Sequence, residues 1–102
     1  MAYITIYSAY ANIKEAKKIA NILLYKNLIA CANFFPIESM YNRKGKKEIS
    51  KEIVALYKTQ KKHRKNIQKE IIQHHSYEIP CIIKFDIEAN TSYEKRIKKE
   101  TK

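Results

Sequence analysis

Alternation opens the chain. Tyr3 to Ser8 changes character at every second residue and is rich in Ile and Tyr, the period and composition of a strand whose two faces differ in burial. The period then switches. Ile13, Ala16, Ile19, Ala20, Leu23 and Leu24 recur at helical spacing, while Lys14, Glu15, Lys17, Lys18 and Asn21 fill the other side, so a helix lies with one stripe on an apolar surface. Asn12 stands at its N-cap, with Glu15 three residues on to complete a capping box. Asn27 tolerates the left-handed conformation that stops a helix. From Leu28 to Ile37 the chain is apolar and aromatic but too short and interrupted for another helix, which predicts a strand with Pro36 placing it at an edge or a bend. Asn42 to Lys47 holds the only glycine, Gly45, and predicts the tip of an extended hairpin. Glu48 to Thr59 alternates again, with Ile53, Ala55 and Tyr57 on one face and Val54, Leu56 and Lys58 on the other. Thr59 is expected to cap a second helix over Gln60–His74, with His63, Ile67, Ile71 and His74 along one face. Tyr77-Glu78-Ile79-Pro80 ends that helix, Cys81–Ile87 is a fourth strand, and Ser92 is expected to cap a short last helix running toward Lys102.

The predicted order is β-α-β-β-α-β plus a terminal helix. This is the α+β, ferredoxin-like arrangement, an antiparallel sheet with both main helices on one face. The opposite face is then expected to be open, and Tyr3, Phe34, Phe35, Tyr57 and Phe85 leave apolar surface there for a partner, a second copy of the chain being the simplest. At 102 residues the chain is expected to form a single domain over 1–102, and its 45% hydrophobic content suffices for a core. No apolar run nears the ~20 residues of a membrane span, and the start lacks a charged signal region, so no membrane association and a cytoplasmic location are expected.

The net charge of +11, from 21 basic and 10 acidic residues, raises the question of nucleic acid. The basic residues are mostly lysine, and the chain is also crowded with Ile, Asn and Tyr, residues with A/T-rich codons, so drift in base composition explains the excess without any anionic ligand. The lysines are also spread through 14–26, 44–51, 58–69 and 95–102. No specific nucleic-acid partner is expected, and a basic nucleic-acid-binding module stands as the alternative function class. The two cysteines, Cys31 and Cys81, form no C-x-x-C pair and imply no disulfide framework.

Within this fold, an RNA-recognition motif would carry its aromatic signature on the third strand, but that strand reads Glu52-Ile53-Val54-Ala55-Leu56-Tyr57-Lys58. A copper chaperone would carry C-x-x-C in the first loop, which here is Ser8-Ala9-Tyr10-Ala11-Asn12. An acyl-phosphate hydrolase would need an anion-cradling loop with a basic residue at that same helix start, and neither glycine nor arginine is present. No catalytic constellation is found.

Leu28-Ile29-Ala30-Cys31-Ala32-Asn33, Ser39-x-Tyr41 with Gly45-Lys46 after it, Glu52 leading to Lys58-Thr59, and His75-x-Tyr77-Glu78-x-Pro80 with Ile82 follow one another along nearly the whole chain. In this order they resemble the CutA divalent-cation tolerance proteins. Arg43, Ser76 and Cys81 depart from the family's usual tryptophan, proline and Glu or Ala. The resemblance implies a cytoplasmic homotrimer of ferredoxin-like subunits, similar in architecture to the PII signalling trimers, linked to tolerance of copper and other divalent cations and not to catalysis. It points to Cys31, His75 and Glu78 as metal candidates, and to Tyr41, Glu52, Lys58 and Tyr77 as residues of a ligand or inter-subunit cleft. Plainer roles compete: Cys31 packs in an apolar strand, His75 caps the helix before it, and Glu52 and Lys58, six apart on one strand face, are open to a buried or inter-subunit ion pair. His74 and His75 are adjacent at a helix end, so at most one faces a given ion. Cys81 is a further thiol that the same or a neighbouring subunit can offer.

Overall fold

The computed structural model describes residues 2–102. In chain order it runs β1 (Tyr3–Tyr10), α1 (Ile13–Tyr25), β2 (Cys31–Arg43), β3 (Lys46–Gln60), a 3-10 turn (Lys61–His63), α2 (Arg64–His74), β4 (Ile82–Ile87) and α3 (Thr91–Glu100). The strands form one antiparallel sheet ordered β2-β3-β1-β4, the ferredoxin-like topology.

Local chemistry sets the element ends. The Glu15 N–H donates to Asn12 Oδ1 at 2.8 Å, capping α1 as the sequence predicts. The Glu15 carboxylate reaches back one residue further than a capping box requires, to the Ala11 N–H at 3.3 Å. Asn27 takes a left-handed φ of 56°. The Asn27 and Leu28 N–H groups then close onto the carbonyls of Leu24 and Leu23, a Schellman ending with Leu23 and Leu28 both in the core. At the hairpin tip Lys44 and Gly45 have φ of 52° and 77°, the two left-handed residues of a type I′ loop. β2 is an edge strand, and Pro36 lies on it opposite Ile53.

Two predicted caps are corrected. The Thr59 hydroxyl is buried and donates to the Leu28 carbonyl, tying the end of β3 to the entry of β2, and α2 starts after the 3-10 turn without a side-chain cap. Ser92 lies inside α3, whose N-cap position is Asn90; the Asn90 amide donates to the Ser92 hydroxyl at 2.9 Å.

Ile4, Ile6, Ala55 and Tyr57 from the sheet meet Ala16, Ile19, Ala20 and Leu23 of α1 and Ile67 and Ile71 of α2, which makes the core. Strand alternation therefore puts Tyr57 and Phe34 on the helix side, with Phe34 packed against the core, rather than on the open face the sequence reading gave them. The second face retains Phe35, Ile83 and Phe85, which are 39%, 44% and 50% exposed. It is not wholly open. Tyr93 of α3 reaches Cys31, and Ile97 and Thr101 are buried, with the Gln60 amide donating to the Thr101 carbonyl at 2.9 Å. β1 ends its pairing at Tyr10 opposite Ile53, so residues 37–43 and 46–52 project as a two-stranded arm. At ~3.3 Å per residue that arm is about 20 Å long, and it stretches the subunit to 46 × 24 × 20 Å.

Candidate functional site

The base of this arm meets the end of β1 and the segment that leaves α2, and the polar chemistry gathers there. His75 ends α2 in an extended conformation. Its Nε2 lies 2.7 Å from the Ala9 carbonyl, and its Nδ1 accepts the Tyr77 N–H at 3.0 Å. A carbonyl cannot donate and an N–H cannot accept, so in this arrangement Nε2 donates, Nδ1 offers its lone pair, and both nitrogens are engaged. The ring stacks on Tyr10 with centroids 4.8 Å apart, and Tyr77 tilts against it at 4.7 Å. Beneath them the Tyr10 and Tyr57 hydroxyls pair at 2.7 Å in the core. Burial pushes the pKa of Tyr57 far up, with the Tyr10 hydroxyl adding to the shift, and burial raises that of Tyr10.

The segment after His75 is held from both sides. The Ser76 N–H donates to Glu15 Oε2 at 2.7 Å, so the carboxylate that ties the start of α1 also ties the exit of α2. Partial burial would raise the Glu15 pKa, but hydrogen bonds from Ser76 and Ala11 outweigh it and hold the carboxyl below its usual range. The Tyr77 hydroxyl donates to Glu52 Oε2 at 2.7 Å, joining this segment to β3 at the base of the arm. Burial, then the Glu52 carboxylate that accepts its proton, raises the Tyr77 pKa. The Ser8 hydroxyl donates to the Cys81 carbonyl at 2.9 Å and fixes the start of β4. Burial, followed by the charge of Glu52, raises the Cys81 thiol pKa, so the group is a thiol at neutral pH.

Between the arm and this segment lies a cleft of about 900 Å³ whose walls include Tyr41, Arg43, Glu52, Tyr77, Glu78 and Cys81. The sequence-predicted cleft residues Tyr41, Glu52 and Tyr77 therefore come together, and so do the departures Arg43, Ser76 and Cys81. The Tyr41 hydroxyl accepts from Ser50 at 3.4 Å.

Lys58 is elsewhere. It shares the strand face of Glu52, yet six residues at ~3.3 Å place them about 20 Å apart, and the ion pairs among the described residues are Lys26–Glu70, His74–Glu70 and Lys84–Asp86. The Glu52–Lys58 pair is not formed within one subunit. Cys31 lies opposite Lys58 in the ladder, at the far end of the sheet beside Tyr93. The expected metal trio of Cys31, His75 and Glu78 is not assembled within one subunit, because strand register carries Cys31 away and backbone groups occupy both nitrogens of His75. Among the described residues no three His, Cys, Asp or Glu side chains gather as a metal site, and both cysteines are free. His74 turns instead to the Glu70 carbonyl at 3.0 Å, so the adjacent imidazoles do splay apart.

Sequence reading missed three residues of this framework: Ser8, Tyr10 and the second role of Glu15. Glu15 and Ser76 are 61 positions apart, and only the packing of α1 beside α2 brings them together.

Comparison with known proteins agrees with this fold. The family model described as CutA1 divalent ion tolerance protein matches residues 4–100. The divalent-cation tolerance protein CutA of Archaeoglobus fulgidus is 39% identical over 83 residues, 81% of each chain. That of Pyrococcus horikoshii is 34% identical over 100 residues, 97% of this chain and 98% of its own. The solved structure of the periplasmic divalent cation tolerance protein CutA from Archaeoglobus fulgidus superposes with a TM-score of 0.95 at 33% identity, covering 98% of this chain and 99% of that one. CutA1 from Oryza sativa superposes at 0.96 with 27% identity, covering 100% and 95%. Matched over nearly its whole length in sequence and fold, the chain belongs to the CutA1 divalent ion tolerance family.

Proposed function

We propose that the chain works as a cytoplasmic homotrimer that binds a divalent cation, copper foremost, or a small polar ligand in clefts between subunits. It acts by reporting occupancy, in the manner of the PII trimers, rather than by catalysis. The observation that carries this reading is the cleft at the base of the arm, where Tyr77 and Glu52 are bonded at 2.7 Å and Glu78 and Cys81 line the wall. Among the described residues of one subunit, no three His, Cys, Asp or Glu side chains gather around a cation site. A cation held here takes further ligands from a neighbour, and Cys31, far from the cleft of its own subunit, is the thiol a neighbour can present.

Assembly is favoured by three features: the edge strand β2, 13 residues long with one side unpaired, the projecting arm, and the exposed Phe35, Ile83 and Phe85. A closed ring covers such edges and such apolar surface. Copper is favoured over magnesium because thiol sulfur is a soft ligand, and the abundant lysines are protonated and cannot coordinate. His75 serves by holding Tyr77 and Glu52 in place. A compartment that keeps thiols reduced suits two free cysteines. No described helix is long and apolar enough to cross a membrane.

Mass spectrometry under non-denaturing conditions should give three subunits, and a clean monomer refutes the assembly. Calorimetric copper titration of wild type, Cys31→Ser, Glu78→Gln and Cys81→Ser, each checked for subunit count, should show weakened binding in the variants. Unchanged binding in all three trimeric variants refutes the cleft as a metal site.

A further inference from the structure

The fold gathers lysines that the sequence scatters. α1 and α2 lie side by side and antiparallel: Lys26 beyond the end of α1 bonds Glu70 within α2 at 2.8 Å, and Glu15 at the start of α1 bonds Ser76 just past α2. Residues 12–26 and 61–74 thus form one layer on the sheet. They carry nine of the 21 basic residues and two of the ten acidic ones, so seven of the eleven net positive charges sit on this layer. All nine basic side chains are exposed. The two acids are spent: Glu15 on the backbone N–H groups of Ala11 and Ser76, Glu70 on Lys26. Both acids are half-buried as well as engaged, so every fully exposed charge on this layer is positive. The rest of the chain holds twelve basic and eight acidic residues.

Along α2 this layer forms a shallow trough of about 600 Å³ lined by Arg64, Lys65, Gln68, Lys69, Ile72 and Gln73. Cations at α-helical spacing and amide donors suit a row of phosphate and sugar oxygens. Tyr25, 88% exposed beside Lys26, offers a ring on which a base can stack. An anionic membrane would call for a line of apolar anchors, and the trough contains only Ile72. We infer that the layer of α1 and α2 is a docking surface for the phosphate backbone of single-stranded RNA, bound without base recognition. This surface is distinct from the cleft, which lies at the base of the arm, and does not depend on metal binding.

Fluorescence anisotropy with labelled oligouridylate tests it on the intact chain. Arg64→Gln/Lys65→Gln/Lys69→Gln removes three charges from the trough; Lys95→Gln/Lys98→Gln/Lys99→Gln removes three from α3 and is the charge-matched control. The trough variant should lose roughly tenfold in affinity at low salt, and its log–log salt slope should fall by about 2, since each neutralised phosphate contact on a single strand contributes about 0.7. The control should stay within about twofold, and circular dichroism should show both variants folded. Equal loss in both variants, no RNA binding by wild type, or binding to anionic phosphatidylserine vesicles in preference to RNA overturns the proposal.

Discussion

The paired hydroxyls of Tyr10 and Tyr57 offer a sharp test of how this core holds the site. Both side chains are 0% exposed and the oxygens are 2.7 Å apart, so neither hydroxyl has water to fall back on. Removing one partner of a buried hydrogen bond leaves the other unsatisfied, at about 1–3 kcal/mol. Tyr10→Phe strands the Tyr57 hydroxyl, and its cost should lie near the upper end. Tyr57→Phe leaves the Tyr10 hydroxyl with the Ser8 hydroxyl still beside it, and its cost should lie near about 1 kcal/mol. The double variant replaces both polar groups with apolar rings of the same outline and should cost no more than about 1 kcal/mol. The coupling energy is then about 3 kcal/mol, well above the ~0.5 kcal/mol scatter of independent sites. Urea unfolding followed by circular dichroism at one fixed protein concentration measures all four corners, the concentration being held because association adds to apparent stability. Additive single costs, or a double variant less stable than either single, would refute the reasoning.

Three further outcomes follow from the same framework. Tyr10 and Tyr57 have raised folded pKa values, so the stability they confer is complete below the unfolded tyrosine value of ~10 and is lost as pH rises above it; alkaline unfolding curves should slope less in the double Phe variant. Glu15 has a lowered folded pKa, so its contribution is present above the unfolded value of ~4.3 and disappears as pH falls through the folded one; Glu15→Gln should cost about 1 kcal/mol at neutral pH and flatten the acid limb of stability against pH. Asn27→Ala puts a Cβ-bearing residue without a compensating side-chain amide at φ 56° and should lower stability by about 1 kcal/mol in the same urea assay.

The strand and helix order was readable because each element carries its own period: two along Tyr3–Ser8, 3.6 from Ile13 to Leu24. The Asn27 stop and the Gly45 turn were readable for a related reason, since left-handed backbone selects residues by local sterics alone. Thr59 and Ser92 were misread because hydroxyls serve equally well as caps and as buried donors. What settled Thr59 was the Leu28 carbonyl, 31 positions away. Phe34 and Tyr57 were given to the wrong face for want of the register against β1, which puts Tyr57 opposite Ile6.

The site divides along the same line. Tyr41, Glu52 and Tyr77 could be grouped from a resemblance in motif order, but their contacts needed the fold, because the Tyr77–Glu52 bond joins a loop to a strand 25 positions earlier. His75 shows what residue type alone leaves open. An imidazole is named a ligand for its lone pair, and whether the lone pair is free depends on what lies opposite each nitrogen. Here the Ala9 carbonyl and the Tyr77 N–H take both, so the residue most suggestive of a metal in the sequence is the one that sets the cleft's shape. The acids follow the reverse course. Glu15, read as a helix cap, also anchors the segment that carries His75 and Tyr77, and the cleft and the first helix therefore share one carboxylate. A perturbation at the start of α1 should for that reason be felt at Tyr77, although no residue of α1 after Glu15 approaches the cleft wall through a hydrogen bond.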